Sequence, residues 1–259
     1  MKVPIAKIGN IQKIDIENSS GIVFYDDVAR ICTVVKDESA PDNRGDKVPY
    51  RIAETFGGTW QDYNNHFIVQ VAGCPLKCPY CYVDNLKADL CMSADELVEK
   101  FKVFKEKVEE RFGIKVNVFH FMGGAPAIYC EFWTELRESL DKQGLGEVIL
   151  FSDVILVENY FTKKRPWEFL NLHHFILTGC LKGTNRKNFL KNTGKNLFEQ
   201  SLKELNSYTS AKNFYLTLIG FDETSLEDVY KIVSKNRIDF LNIINYEVTK
   251  IRCKLKRRV

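Results

Sequence analysis

The sequence of 259 residues has no apolar run approaching the ~20 residues that a bilayer-spanning helix needs. Its N-terminal segment carries a polar side chain every few positions and lacks the continuous apolar stretch of a signal peptide. Internal repeats and low-complexity segments are absent as well. The lack of a membrane-spanning run and of a signal peptide predicts a cytoplasmic protein with no membrane partner. The hydrophobic fraction of 45% and the charged fraction of 27% are those of an ordinary folded domain.

A large excess of charge is also missing, because the formal net charge is only +3. This value is too small to require a nucleic-acid partner. Lysine and arginine are nevertheless concentrated in the last ten residues, KIRCKLKRRV. This basic segment is interpreted either as a solvated terminus or as a phosphate-binding tail.

Eight cysteines occur without a secretory signal, which argues against a disulfide framework. Thiols stay reduced in the cytosol, where clustered cysteines more often bind metal or take part in redox chemistry. The cysteines are therefore the first place to look for a functional site.

From residue 66 onward, strand-like apolar runs alternate with helical patterns, which predicts parallel βα units. A capping box of Ser93 and Glu96 predicts the start of a long helix, which Gly113 ends. A second capping box, Thr224 with Glu227, predicts a helix over 225–236. The other predicted helices are at 130–143 and 195–208, with only short pieces over 154–171, and the predicted strands are at 66–72, 115–122, 147–152, 173–179, 213–220 and 238–244.

Six strands with intervening helices predict an α/β fold, namely a partial (β/α)6 TIM-like barrel over 66–245. A full barrel would need two more βα repeats. Residues 1–65 are predicted to be a β-rich N-terminal extension, with a hairpin around Asn18–Gly21 and a polar loop at 37–47. Residues 246–259 are the basic C-terminal tail.

The segment GCPLKCPYCYVDN (73–85) directly follows the first predicted strand of the barrel. Its cysteines, Cys74, Cys78 and Cys81, have a spacing that lets three thiolates bind three of the four irons of a cubane cluster. The fourth iron then keeps an open position for a substrate. The alternative is a structural zinc site, which usually takes four ligands, so that Cys91 or Cys130 would have to complete it from a distance.

The spacing Cys-x3-Cys-x2-Cys, with the aromatic Tyr80 directly before the last cysteine, resembles the signature of the radical S-adenosylmethionine (SAM) superfamily. The resemblance implies a [4Fe–4S] cluster whose open iron is chelated by the amino and carboxylate groups of SAM, with Tyr80 beside this cofactor site. It also implies an electron donor such as flavodoxin or ferredoxin. One electron then splits SAM into methionine and a 5′-deoxyadenosyl radical, which abstracts hydrogen from the substrate.

A glycine pair follows the second predicted strand of the barrel. The residues Gly123, Gly124, Ala125 and Pro126 resemble the family motif Gly-Gly-Glu-Pro, whose backbone receives the amino group of SAM. Glycine permits a close approach of the backbone to a ligand because it has no Cβ atom. The chain departs from the motif at Ala125, which leaves the role of the glutamate vacant.

Two further strand ends carry candidate residues. The resemblance implies that Ser152 or Asp153 contacts the ribose of SAM, and a plain helix cap is the structural alternative. Cys180-Leu181-Lys182-Gly183 is similar to the Asp-x-Lys strand end of glycyl-radical activating enzymes, with Cys180 in place of the aspartate. This likeness implies that Lys182 lies near the carboxylate of SAM and that Cys180 and Lys182 are candidate catalytic residues. A surface lysine before a turn is the alternative.

Three functions are compatible with these motifs. A radical SAM enzyme acting on a protein or peptide, most like the compact activating-enzyme branch, would use the N-terminal extension for docking. A radical SAM enzyme modifying a nucleotide or RNA would use the basic tail. The third is a non-catalytic metal-binding barrel, which the departures at Ala125 and Cys180 would favour.

Overall fold

The computed structural model describes residues 1–8, 22–34, 47–81, 83, 88, 90–220, 223–234 and 237–241. Its strands, in chain order, are β1 (Lys2–Ile5), β2 (Ile22–Tyr25), β3 (Ala29–Thr33), β4 (Asn65–Gln70), β5 (Leu90–Ser93), β6 (Val118–Met122), β7 (Ile149–Val154), β8 (Phe175–Leu181), β9 (Phe214–Ile219) and β10 (Ile238–Leu241). Its α-helices are α1 (Val48–Phe56), α2 (Ala94–Phe112), α3 (Glu131–Lys142), α4 (Glu158–Thr162), α5 (Arg186–Thr193), α6 (Phe198–Asn206) and α7 (Glu227–Tyr230). Short 3-10 helices lie at Trp60–Tyr63, Pro126–Tyr129, Pro166–Asn171 and Glu223–Ser225.

The main sheet of the described chain has the order β10-β9-β8-β7-β6-β4-β3-β2. The six strands from β4 to β10 in this sheet are parallel to one another. Parallel neighbours need crossover connections, which the helices between these strands supply. The edge strands of the described sheet, β10 and β2, do not pair with each other, so the barrel is open. The predicted α/β fold, a partial TIM-like barrel, is therefore confirmed.

The two faces of the sheet carry different side chains because successive residues of a strand alternate between faces. On the outer face, Phe67 packs against Phe101 of α2, with the ring centroids 5.2 Å apart. On the inner face, Phe151 and Ile176 belong to a smaller apolar cluster that also contains Val48 and Ile52 of α1. The helix α1 thus covers part of the inner face.

The helix α2 begins and ends where the sequence predicts. The backbone N–H of Ser93 donates to the Glu96 carboxylate at 2.7 Å, and the Glu96 N–H donates to the Ser93 hydroxyl at 3.3 Å. Gly113 follows the last turn with a left-handed φ of 65°. Capping of this kind contributes about 1 kcal/mol to helix stability. No helix in the described residues is long and apolar enough to cross a bilayer.

The N-terminal strands β2 and β3 lengthen the same sheet. Strand β3 pairs antiparallel with β4, and β2 pairs with β3. The segment GIVFYDD was expected to pair across Asn18–Gly21, but its strand pairs instead with Ala29–Thr33. The other half of the predicted hairpin, nearly all of the loop 37–47 and the whole basic tail 246–259 lie outside the described residues.

One helical prediction in the second half of the chain was wrong, and one helix was not predicted. In place of the helix expected over 225–236, the described residues form a 3-10 turn followed by the single turn α7, and residues 235 and 236 lie outside the description. The hydroxyl of Ser225, in that turn, bonds with the Thr184 hydroxyl at 2.7 Å and accepts from the Asn185 amide at 3.0 Å, and α7 begins without a side-chain cap. The helix α5 was missed, although Asn185 caps its start and Gly194 ends it with a φ of 68°.

Candidate functional site

The candidate residues follow the carboxyl ends of neighbouring parallel strands. The cysteine segment follows β4, the glycine pair follows β6, Asp153 lies near the end of β7, and Lys182 directly follows β8. Because these strands are parallel, their carboxyl ends meet at one edge of the sheet, where ligands of open α/β folds bind. The site is therefore assembled from loops at a single edge.

Backbone hydrogen bonds hold the cysteine loop at two points. The N–H of Ala125 donates to the carbonyl of Gly73 at 2.8 Å, which ties the loop to the segment after β6. The N–H of Lys77 donates to the carbonyl of Thr193 at 2.8 Å, which ties the loop to the end of α5. Within the loop, the N–H of Cys81 donates to the carbonyl of Cys78 at 3.0 Å. These bonds do not depend on the side chains of the cysteines.

None of the three cysteines forms a disulfide within the described residues, and each is only partly exposed. Burial raises the pKa of the Cys74 thiol to about 12 and also raises the pKa of Cys78. The ammonium of Lys182 opposes both shifts because it stabilises a nearby thiolate. Without a bound metal these two groups remain thiols at neutral pH.

Lys182 lies among the side chains that the resemblance assigns to the cofactor site. Its Nζ is 6.0 Å from the centroid of the Tyr80 ring. Burial works against the ammonium, but Tyr80, Cys180, Cys78 and Cys74 outweigh it and raise the pKa of Lys182. Burial also raises the pKa of the Tyr80 hydroxyl. Lys182 therefore stays a cation at neutral pH, and it lies beside Tyr80 and the cysteines.

The segment after β6 has the close backbone approach that a glycine pair predicts. Gly123 has a left-handed φ of 72°, and a Cβ atom at this position would lie 2.7 Å from the Cβ of Gln70. Gly124 also has a positive φ, of 50°. Ala125 is fully buried, and its N–H is used by the cysteine loop. Pro126 is buried at the start of the 3-10 helix, so the two glycines are the members of this motif that a ligand can approach.

The two ribose candidates on β7 point to opposite faces. Ser152 is fully buried, and its hydroxyl donates to the carbonyl of Phe121 at 2.8 Å. Asp153 faces the inner side, where its carboxylate oxygen lies 3.4 Å from Nε2 of His120. The structure therefore favours Asp153 over Ser152 as a group that contacts a ligand.

The donor set distinguishes a cluster from a single metal ion. Among the residues that the structure describes, no three His, Cys, Asp or Glu side chains converge on a point that would suit one ion. A cubane takes its thiolates at separate corners, so the sulfurs do not need to converge. Thiolates are soft donors, and they are the ligands that iron–sulfur clusters take. Cys74, Cys78 and Cys81 supply three donors of this type.

The comparison with protein families decides the family. The model described as the Radical SAM superfamily matches residues 68–235. The chain belongs to the radical SAM superfamily. Members of this superfamily use a [4Fe–4S] cluster and SAM. No curated protein sequence matches the chain significantly.

Three solved structures are similar to the chain at low sequence identity. SuiB of Streptococcus suis bound to S-adenosylmethionine is 14% identical with a TM-score of 0.50, over 68% of this chain and 39% of SuiB. SuiB bound to its precursor peptide SuiA is 14% identical with a TM-score of 0.49, over 71% of this chain and 40% of SuiB. The protein anSMEcpe with bound AdoMet is 22% identical with a TM-score of 0.47, over 66% and 49%. The chain thus spans about two fifths of the length of SuiB.

Two residues that contact the site were missed from the sequence. The amide nitrogen of Asn192 donates to the carbonyl of Lys182 at 3.0 Å and to that of Gly220 at 2.9 Å, so it ties the end of β8 to the end of β9. Arg30 on β3 reaches the inner face beside Met122. The cap at Asn185 and the stop at Gly194 were signals that could have revealed α5, and hence the position of Asn192. No comparable signal marks Arg30.

Proposed function

We propose that the chain binds a [4Fe–4S] cluster through Cys74, Cys78 and Cys81 and uses it to cleave SAM reductively. The observation that carries this proposal is the gathering of these cysteines with Tyr80 and Lys182 at one sheet edge, inside the region that the family model matches. When bound, the cluster supplies the electron that breaks a sulfur–carbon bond of SAM and releases methionine and a 5′-deoxyadenosyl radical.

The polar groups around the cysteines bind and orient SAM in this proposal. Lys182 provides a permanent positive charge for the carboxylate of SAM. The backbone at Gly123 and Gly124 receives its amino group, because the missing Cβ atoms permit a close approach. Asp153 accepts a hydrogen bond from a ribose hydroxyl. An external protein such as a flavodoxin or ferredoxin delivers the electron.

A protein or peptide is the substrate that we favour, as in the activating-enzyme branch. The support comes from the edge of the sheet, since β2 pairs with β3 alone among the described strands. An open strand edge binds an extended peptide by adding a strand, with main-chain hydrogen bonds giving the affinity. Residues 1–65 belong to the docking region in this proposal, and 66–245 to the barrel that performs the chemistry.

A nucleotide or RNA substrate is the second candidate, and a separate cavity favours it. This cavity of about 400 Å³ is lined by Arg51, Glu54, Lys212, Tyr215 and Arg237. Three cations against one carboxylate suit a polyanion. Salt-sensitive RNA binding by the wild type, lost in Arg237→Gln, would favour this candidate over a peptide.

The proposed chemistry is tested by anaerobic reconstitution of the purified protein with iron and sulfide. The expected results are cluster absorbance in the visible range and formation of 5′-deoxyadenosine from SAM after reduction, measured by mass spectrometry. Alanine at each of the three cysteines is expected to abolish both signals. Cys91→Ala is the matched control, because Cys91 is exposed on β5. Zinc binding without any iron uptake would refute the proposal, and iron uptake without SAM cleavage would favour a non-catalytic metal-binding barrel.

A further inference from the structure

An arginine lies on the inner face of the sheet, close to the candidate site. Arg30 is only 7% exposed. Arg30 on β3 pairs with Ile68 of β4, and Ile68 pairs with His120 of β6. His120 in turn pairs with Phe151 of β7. Directly paired residues point to the same face of a sheet, so Arg30 shares the inner face with this row.

The guanidinium of Arg30 has a single weak partner among the described residues. Its Nη2 lies 3.9 Å from the Sδ of Met122, a thioether that accepts hydrogen bonds poorly. Asp153, a carboxylate on the same face, lies beside His120 instead. A guanidinium carries five donors and is always charged, so burying it without an anion is costly. The side chain is therefore prepared for a ligand that supplies the negative charge.

The contact with Met122 places the charge of Arg30 at the edge of the sheet where the parallel strands end and the candidate site lies. Met122 is the last residue of β6 and directly precedes Gly123, at the close backbone approach described above. Lys182, the other cation of this edge, follows β8 and lies with the cysteines and Tyr80. The two cations thus stand on different sides of the inner face, and each can serve a different carboxylate.

We propose that Arg30 binds a carboxylate group in the candidate active site, which makes the substrate acidic. The inference rests on the proposed function for the identity of the site. Bidentate geometry gives arginine a strong preference for carboxylates. SAM also carries a carboxylate, and we favour the substrate as the source because Lys182 already lies beside the cysteines.

The test measures ligand binding to the reconstituted protein by isothermal titration. The probes are glutarate and its uncharged diamide in one arm, and SAM and decarboxylated SAM in the other. The wild type is expected to bind glutarate and not the diamide, and Arg30→Gln is expected to weaken glutarate binding at least tenfold. A tenfold loss for SAM, with decarboxylated SAM unaffected, would instead assign the carboxylate to SAM. Arg186→Gln is the matched control, because Arg186 is an exposed arginine paired with Glu199.

The inference is overturned if Arg30→Gln changes the affinity for neither glutarate nor SAM by more than twofold. A second variant, Arg30→Met, fills a similar volume and separates binding from folding. Because the guanidinium has one weak partner in the described structure and its burial is costly, this variant is expected to melt at or above the temperature of the wild type. A large drop in melting temperature would assign Arg30 a structural role and refute the proposal. If the wild-type protein fails to cleave SAM, the proposed function is refuted but this inference is not, because glutarate binding is measured without SAM.

Discussion

A buried pair of glutamates makes the stability of this protein depend on pH in a predictable direction. Glu158 of α4 and Glu204 of α6 are 0% and 4% exposed. Glu158 accepts hydrogen bonds from the N–H groups of Ile155 at 2.7 Å and Val157 at 3.1 Å. Burial, together with the neighbouring Glu158, raises the pKa of Glu204 to about 9. Burial raises the pKa of Glu158 as well, so the pair holds a proton at neutral pH in a hydrogen bond between the two carboxyl groups.

The sign of the effect follows from the raised pKa. A carboxyl group of an unfolded chain has a pKa near 4.5, so between this value and about 9 the folded protein holds a proton that the unfolded chain has released. The stabilisation is complete below pH 4.5 and is lost as the pH rises toward 9. Within this window the free energy of unfolding falls by about 1.4 kcal/mol per pH unit.

Glu204→Gln removes the titrating group and keeps its shape. The amide can still donate to Glu158, and its oxygen can still accept from the N–H of Asn159, which lies 3.1 Å from the Glu204 carboxylate. We expect the variant to match the wild type near pH 5 and to be more stable at pH 8, by about 4 kcal/mol. Urea unfolding at each pH measures this difference. Glu199→Gln, an exposed position on the same helix, is the control, and parallel stability profiles of the wild type and Glu204→Gln would refute the reasoning.

Two further predictions concern the framework of the candidate site. Asn192→Ala removes two hydrogen bonds between strand ends and is expected to lower the free energy of unfolding by about 1–3 kcal/mol. Thermal unfolding should show a melting temperature several degrees lower, and the control variant Asn206→Ala, at an exposed position, should show no such drop. Gly123→Ala is expected to destabilise more than Gly113→Ala by about 1–3 kcal/mol, because both glycines have a positive φ but only Gly123 would bring a Cβ against another residue. Equal urea midpoints for the two glycine variants would contradict the predicted clash.

The parts of the fold that were predictable from the sequence have local causes. The helix α2 carries its capping box, its apolar face and its terminal glycine within its own sequence. Five of the parallel strands, β4 and β6 to β9, are mainly apolar runs buried on both faces, and such runs are visible in the sequence. The spacing of Cys74, Cys78 and Cys81 is local as well, since the three residues belong to one loop.

The parts that were missed depend on contacts between distant residues. The helix α5 has few apolar residues, and its position is fixed by bonds to the cysteine loop and to the end of β8. The strand β3 is five residues long, and its pairing with β4 joins segments separated by more than thirty residues. Arg30 therefore reaches the inner face through a non-local register, which no pattern near residue 30 reveals.

The sequence departs from the expected motifs at Ala125 and Cys180, and neither departure displaces the cysteine loop. Ala125 replaces the usual glutamate, yet its contribution to the loop is the backbone bond to Gly73, which any residue other than proline can make. Cys180 stands where glycyl-radical activating enzymes, which this strand end resembles, have an aspartate, while Lys182 two residues later lies beside Cys74 and Cys78. Both replacements remove a carboxylate from the edge that binds SAM in the proposed function. The site consequently has more positive charge than the family pattern would give it, and an acidic substrate is the ligand that such a balance favours.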